Sequence, residues 1–323
     1  MTHALDDDPA LPQELWPAAD EIRNWIGTLL LADQKATEQQ QPLYHYTDET
    51  ALKSILAKEE IWCFSHLHQT DKSEFSYSLD IARETLQEIR RSDDWFEKYF
   101  AICVLDLVEN NSFTEAFEFY LFSASRHRDD DQQWQTFGKN GHGYAIGLGP
   151  TLFRADQTEL SALANENKFV GNVLYGEEAI RARHESVFRS AAKIVSKFER
   201  ENKDLVRRFS PAVYLAGMAK EVIAGQLIWN CLTGKNRKFQ SEQEVRFLIL
   251  GVPSRFESLR REHASRKYVT SALPLKTEGS VTEIIVGINT PSGSEKMMSD
   301  YLAEQGYAYR IPLIRSGTTL PAL

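Results

Sequence analysis

The sequence predicts an α+β domain, and three observations point to it. Short β-type runs recur along the chain at wide, irregular spacings. The helical patterns between them gather in blocks, chiefly over residues 75–108 and 177–232, instead of alternating one helix to one strand. With 323 residues, 42% hydrophobic and 26% charged, the chain can bury a core without staples.

The elements follow in order. Residues 1–17 are rich in Asp and Pro and are expected to be mobile. Ile22, Trp25, Ile26, Leu29 and Leu30 recur at helical spacing. Glu38-Gln39-Gln40-Gln41-Pro42 reads as a linker. An N-terminal tail and helix (1–41) is therefore expected before a main domain (42–323), with 177–232 as a helical insertion. Leu43-Tyr44-His45-Tyr46-Thr47 reads as a strand, and Thr47 or Asp48 can cap a helix bearing Leu52, Ile55 and Leu56. Ile61–Ser65 is a second strand, followed by a polar loop with Asp71 and Glu74. Phe117–Ser123 is strand-like, and the charged run Arg126–Asp131 interrupts it. A short helix through Trp134 and Phe137 leads to Gly138, Gly141 and Gly143, then to a strand at Tyr144–Leu148. Further strands are expected at 168–175, 245–250, 268–273, 283–286 and about 309–314, with a helix near 293–305.

A formal net charge of −9 argues against broad electrostatic binding to nucleic acid or anionic lipid. It leaves room for local basic patches. Lys235, Arg237 and Lys238 form one, and Arg255, Arg260, Arg261, Arg266 and Lys267 another. Cys63, Cys103 and Cys231 form no CxxC pair, and an odd, low count suits a reducing compartment. The acidic start has neither the basic stretch nor the apolar run of a secretory signal, and no apolar stretch approaches the roughly 20 residues of a membrane span. A soluble, cytoplasmic protein is expected.

No P-loop, GxGxxG, HExxH or GxSxG motif is present. Gly138, Gly141 and Gly143 precede a strand instead of capping a helix, so they read as a turn. His45 sits between two tyrosines that alternation turns to the opposite face. It reads either as a half-buried histidine with a backbone partner or as part of a ligand site. Glu242 and Glu244 are expected to share a face at the start of a strand. Two carboxylates so placed either serve a site or belong to a solvated edge paired with Arg246 or a nearby lysine. Trp134 and Phe137 read as core or as a stacking wall. Arg126 and Arg128 read as phosphate ligands or as a solvated loop. Asp129-Asp130-Asp131 cannot all face one ion, so no metal is expected.

Three ordered blocks sharpen these readings. Tyr44-His45-Tyr46-Thr47 with Ile61-Trp62 is the first. Phe122-Ser123, Trp134 through Phe137 and Gly141 through Leu148 form the second. Glu242-Gln243-Glu244-Val245-Arg246 with Thr282 through Gly287 is the third. The set, over residues 43 to about 315, resembles a widespread bacterial family of unknown function. That family is in turn similar to the ADP-ribosyltransferase superfamily. The resemblance implies a split mixed β-sheet core with inserted helical segments, and NAD as cofactor. It implies Glu244 and Glu242 as catalytic carboxylates and His45 as an orienting residue. It places Tyr46, Thr47, Ser123, Arg126, Trp134, Phe137 and Tyr144 around the dinucleotide. The implied partner is a macromolecular acceptor, protein or nucleic acid, as in a toxin or phage-defence effector. Phe137 replaces the family's tyrosine and Val245 its tryptophan. These departures favour the alternative, a degenerate, non-catalytic binding module. On the catalytic reading, Glu244→Gln is expected to abolish NAD cleavage with folding intact, and His45→Ala to weaken NAD binding.

Overall fold

The computed structural model describes residues 11–37, 41–66, 73–110, 118–153, 168–251 and 253–319. Asp71, Phe117 and the side chains of Glu74 and Arg255 lie outside the described part, as do residues 1–10 and 38–40. Strands form where β-type composition predicts them: β1 (Leu43–Thr47), β2 (Glu60–Ser65), β3 (Glu118–Ser125), β4 (Tyr144–Leu148), β5 (Lys168–Asn172) and β6 (Leu174–Tyr175). Then come β7 (Gly234–Lys235), β8 (Glu244–Gly251), β9 (Arg261–His263), β10 (Arg266–Ala272), β11 (Val281–Val286) and β12 (Leu313–Arg315). Two short pieces, β7 and β9, carry too few residues to show a period and lie outside the strands the sequence predicts.

All but β6 and β7 belong to one mixed sheet. Its backbone is β3. One edge of β3 pairs along its whole length with β8, which carries β5 beyond it. The other edge is shared by two strands placed end to end: β2 meets Leu121 and Tyr120, and β1 meets Ser125. The sheet therefore divides at β3. One wing runs β1-β4-β11-β12 and the other β2-β10-β9. Glycine makes the first wing possible where backbones touch. A Cβ on Gly143 would lie 2.3 Å from the Thr47 carbonyl oxygen, so only glycine closes the turn into β4 against β1.

Helix α1 (Trp16–Thr37) packs with α3 (Ser73–Ile89), α4 (Trp95–Glu109) and α6 (Glu177–Glu201) over the face of β3, β8 and β5 that bears Phe119, Leu121, Leu248 and Phe169. Helix α2 (Glu49–Lys58), capped by the Asp48 carboxylate on Ala51 N at 2.9 Å, lies on the opposite face with Leu52, Ile55 and Leu56 buried. The short α5 (Asp131–Thr136) follows β3. The 177–232 stretch is a series of helices, α6, α7 (Pro211–Met218) and α8 (Ala224–Leu232), the last two joined by a π-turn. Helix α9 (Ser294–Glu304) precedes β12.

Two expectations change here. Residues 11–17 are not mobile: Leu15 is fully buried and Leu11 nearly so. Helix α1 is not set apart from the main domain, because it shares one core with α6 and α8, and Asp33 accepts from Arg183 (2.6 Å) and Trp229 (2.9 Å). An amphipathic helix before a linker looks separate in sequence, but its apolar stripe needs a cover, and the insertion supplies it.

The helical layer also encloses His184, with no exposed surface and its Nε2 3.2 Å from Ser78 Oγ. Burial first, then the Arg183 charge beside it, lower its pKa from 6.5 to about 3. The unfolded chain binds a proton that the fold refuses. Stability is therefore complete above pH 6.5 and falls as pH drops toward about 3. Urea denaturation across that range should show the midpoint fall, and a His184→Gln variant should flatten the upper part of the fall.

Candidate functional site

The division of the sheet leaves a gap on the edge of β3 between Leu121 and Ser125, and Ser123 stands in it. A strand carbonyl without a partner is costly when buried. His45 supplies the partner: its Nδ1 lies 2.9 Å from the Ser123 oxygen, and since a carbonyl only accepts, Nδ1 carries the proton. The imidazole packs at 4.5 Å from the Phe122 ring. Burial lowers the His45 pKa, the Ser123 hydrogen bond opposing it, so the ring is neutral. His45→Ala should cost about 1–3 kcal/mol of unfolding free energy by orphaning that carbonyl. Chemical denaturation reads this directly, and an unchanged midpoint would remove His45 from the joint.

Glu244 reaches Ser123 from the other side. Ser125 lies opposite Glu244 and Ser123 opposite Arg246, so these four side chains share one face. The Ser123 side chain stands close to the Glu244 carboxylate and helps to lower its pKa. Arg246 grips the same carboxylate in bidentate fashion, Nε to Oε1 at 2.8 Å and Nη2 to Oε2 at 2.9 Å. Lys235 Nζ stands 3.1 Å from Glu244 Oε2 and 2.5 Å from Glu242 Oε2. The Glu244 amide donates to the Tyr175 hydroxyl at 2.8 Å. Glu244, Lys235 and Arg246 are each under a tenth exposed. Burial alone would raise the Glu244 pKa, but the Arg246 and Lys235 charges outweigh it and hold the carboxyl at about 2.

The expected carboxylate pair exists, but not by strand alternation. Glu242 ends a 3-10 turn, and Gln243 turns left-handed at φ 43° before β8 begins at Glu244. Lys235, not a shared strand face, brings the two together. His45 and Glu244 likewise do not share a face. His45 lies on the side of Phe122 and Ile146, and Glu244 on the side of Ser123 and Leu121. They converge on one residue, Ser123: His45 bonds its carbonyl, and Glu244 lies close to its side chain.

The remaining predicted residues separate clearly. Arg126 follows β3; its backbone N–H donates to the Gln243 carbonyl, its Nη2 donates to Asn172, and its buried Nη1 has no hydrogen-bond partner among the described residues. Desolvation lowers its pKa. Arg128 is committed, bidentate at 2.8 and 2.7 Å to Glu283, which also accepts from the Tyr44 hydroxyl. Trp134 is fully buried: its Nε1 donates to Asp129 at 2.6 Å, and its ring meets Tyr46 edge-on at 4.9 Å. Of the two readings for this ring, core packing holds, because no ring face is left for stacking. Tyr46 is buried too, with its hydroxyl between His127 O and Asp130 N. Tyr144 is 3% exposed, so it also offers no stacking face. Phe137 is 41% exposed, and Thr47 is half-buried at the end of β1. Asp129, Asp130 and Asp131 do different jobs: Asp129 accepts from Trp134 and Ser316, Asp130 caps α5, and Asp131 begins it. Among the described residues, no three His, Cys, Asp or Glu side chains are grouped to hold a metal ion.

Lys235 takes the place of the nearby lysine, which the sequence did not single out, and Tyr175 and Asn172 join the site without having been expected there. The sequence showed Lys235 only as one of three nearby cations, and its burial depends on the β6–β7 pair, where Tyr175 lies beside it.

The fold and site define a mixed-sheet α+β protein with a buried ionic cluster where its sheet divides. Residues 133–247 match the model of a protein family of unknown function, DUF2971. The matched segment runs from α5 to β8 and covers Trp134, Phe137, Tyr144, Lys235, Glu242 and Glu244, while His45 and Ser123 precede it. No curated protein and no solved structure matches the chain. No helix among the described residues is long and apolar enough to cross a membrane.

Proposed function

We propose that the chain is an NAD-dependent, ADP-ribosyltransferase-like enzyme acting on a protein or nucleic-acid acceptor. The observation that supports it is the meeting of His45 and Glu244, 199 positions apart (244 − 45), at Ser123 on the edge where the sheet divides. NAD would supply the ADP-ribosyl group and release nicotinamide. Bond breaking of this kind builds positive charge on a ribose, and a fixed carboxylate stabilises it, more so in a dry surrounding. Glu244, ionised at every ordinary pH, suits that role. Glu242, held by the same lysine, suits orientation of the acceptor. Arg126, with an unmatched donor on its guanidinium, fits a diphosphate oxygen, and the exposed Phe137 ring fits a flat heterocycle. Trp134 and Tyr144 act behind these groups as supports.

A second reading has its own observation. Glu244 is already neutralised by Arg246 and Lys235, as a carboxylate in a binding module without catalysis would be. Nicotinamide release from NAD, assayed over protein and nucleic-acid acceptors, separates the two. On the enzymatic reading, Glu244→Asp keeps the ionic cluster while withdrawing the carboxylate, and the rate should fall by about 100-fold. NAD bound but never cleaved by the unmodified chain, with any acceptor, would leave the binding module standing.

A further inference from the structure

The ribbon β9-β10-β2 departs from the usual pattern of an apolar inner and a polar outer face. Its inner residues Ile61, Cys63, Val269 and Ser271 are buried. Its outer face carries Trp62, Phe64, Tyr268 and His263. Phe64 lies opposite Tyr268, and Arg266 opposite His263. The Trp62 ring stacks on Tyr268 at 4.4 Å and 19°, with His263 at 5.4 Å. Cations lie over these rings: Arg266 4.1 Å from the Phe64 centroid and Lys58 5.7 Å from that of Trp62. Lys58, Arg261, His263 and Arg266 are exposed, and Trp62 and Phe64 are half-buried. Arg261 stands 3.7 Å from Glu60, while among the described residues Lys58 and Arg266 have aromatic but no carboxylate partners.

We infer that this face binds an unpaired nucleic-acid strand, with bases against the Trp62 and Phe64 rings and phosphates against Lys58, Arg261 and Arg266. Flat rings accept bases only when those bases are free of a duplex, and cations set among the rings meet the phosphates that join successive bases. An acidic peptide would use the cations and leave the rings idle. An apolar protein surface would bury the cations without compensation. In a chain of net charge −9, a polyanion is repelled from most of the surface, which confines it to such a patch. The face also lies on the side of the sheet that bears Ser123 and Glu244, since Phe64 is opposite Leu121, two residues before Ser123. That the bound strand is the acceptor rests on the transferase reading; the binding does not.

The test titrates the full chain, without NAD, into labelled oligonucleotides of about 12 nucleotides, as single-stranded RNA, single-stranded DNA and duplex, read by anisotropy. The expected result is preference for a single strand, with RNA-over-DNA or the reverse naming which. A Lys58→Ala/Arg266→Ala double variant should lose about tenfold in affinity and show a shallower salt dependence. Both side chains are exposed, so this variant should fold even where Trp62→Leu does not. No binding of either single strand, preference for duplex, or unchanged affinity in the double variant overturns the inference. Because no NAD is present, its failure leaves the nicotinamide assay untouched, and the reverse holds too.

Discussion

Glu244→Gln should lower the unfolding free energy by about 3–5 kcal/mol, a large share of the roughly 5–15 kcal/mol that holds a domain of ordinary stability. The cluster of Glu242, Glu244, Lys235 and Arg246 is neutral as a set. Removing one carboxylate charge leaves two buried cations facing a single anion, and Arg246 keeps at most one of its two bonds, because the amide retains one acceptor oxygen and its NH2 only donates. The expectation that the Gln variant keeps its folding intact changes with the structure, which buries the carboxylate between Arg246 and Lys235. A Glu244→Gln/Arg246→Met double variant should recover much of the loss, because it removes the uncompensated cation with its partner. The sign with pH follows from the depressed pKa. Glu244 contributes its stability above the ordinary 4.5 and loses it as pH falls toward about 2. Urea midpoints measured down that limb should drop steeply for the unmodified chain and less for the Gln variant. A Gln variant as stable as the parent at neutral pH would show that the cluster carries no stability.

Much of this fold was legible, for a local reason. Strands such as Tyr144–Leu148 and Ile61–Ser65 announce themselves by composition, and Asp48 by its capping side chain. Ion pairing of the Glu242–Glu244 segment with Arg246 and a lysine was legible too, because the cations lie within ten residues. Depth was not. Whether a charged strand start faces solvent depends on β5, β6 and the helices of 177–232, all distant in sequence, closing over it. The face assignments failed at one residue, Gln243, whose left-handed backbone breaks the alternation that reading Glu242 and Glu244 together assumed. That His45 takes a backbone partner was one of its two readings, and the structure bears it out; which carbonyl it serves could not be read from β1, because the gap it fills is made by two strands ending on the edge of a third.

Trp134→Ala should be as damaging as Glu244→Gln, again by about 3–5 kcal/mol, but through packing and not charge. Trp134 is fully buried within a small cluster of Tyr44, Tyr46, Ala145 and Ile285, on the sheet face beneath α5. Gly138 is fitted against it so closely that a Cβ there would lie 2.3 Å from the indole. A cavity at this position is bounded by strands β1, β4 and β11, whose hydrogen bonds prevent them from collapsing inward, so the upper half of the range is expected. The indole also supplies one of the donors to Asp129, whose others are the Ser316 hydroxyl and the Gly317 amide. Trp134→Phe keeps most of the volume and removes only that donor, so it should cost about 1–3 kcal/mol. The ordering Ala worse than Phe worse than Trp, in thermal or urea denaturation, is what a packed support produces. A stacking wall produces a different pattern, in which Trp134→Ala folds normally and loses only NAD affinity. Calorimetric titration of NAD on the Phe variant completes the distinction: affinity near that of the parent fits a ring that supports Tyr46 and Asp129 from behind, whereas a selective loss of NAD with unchanged stability would place the ring in the site itself.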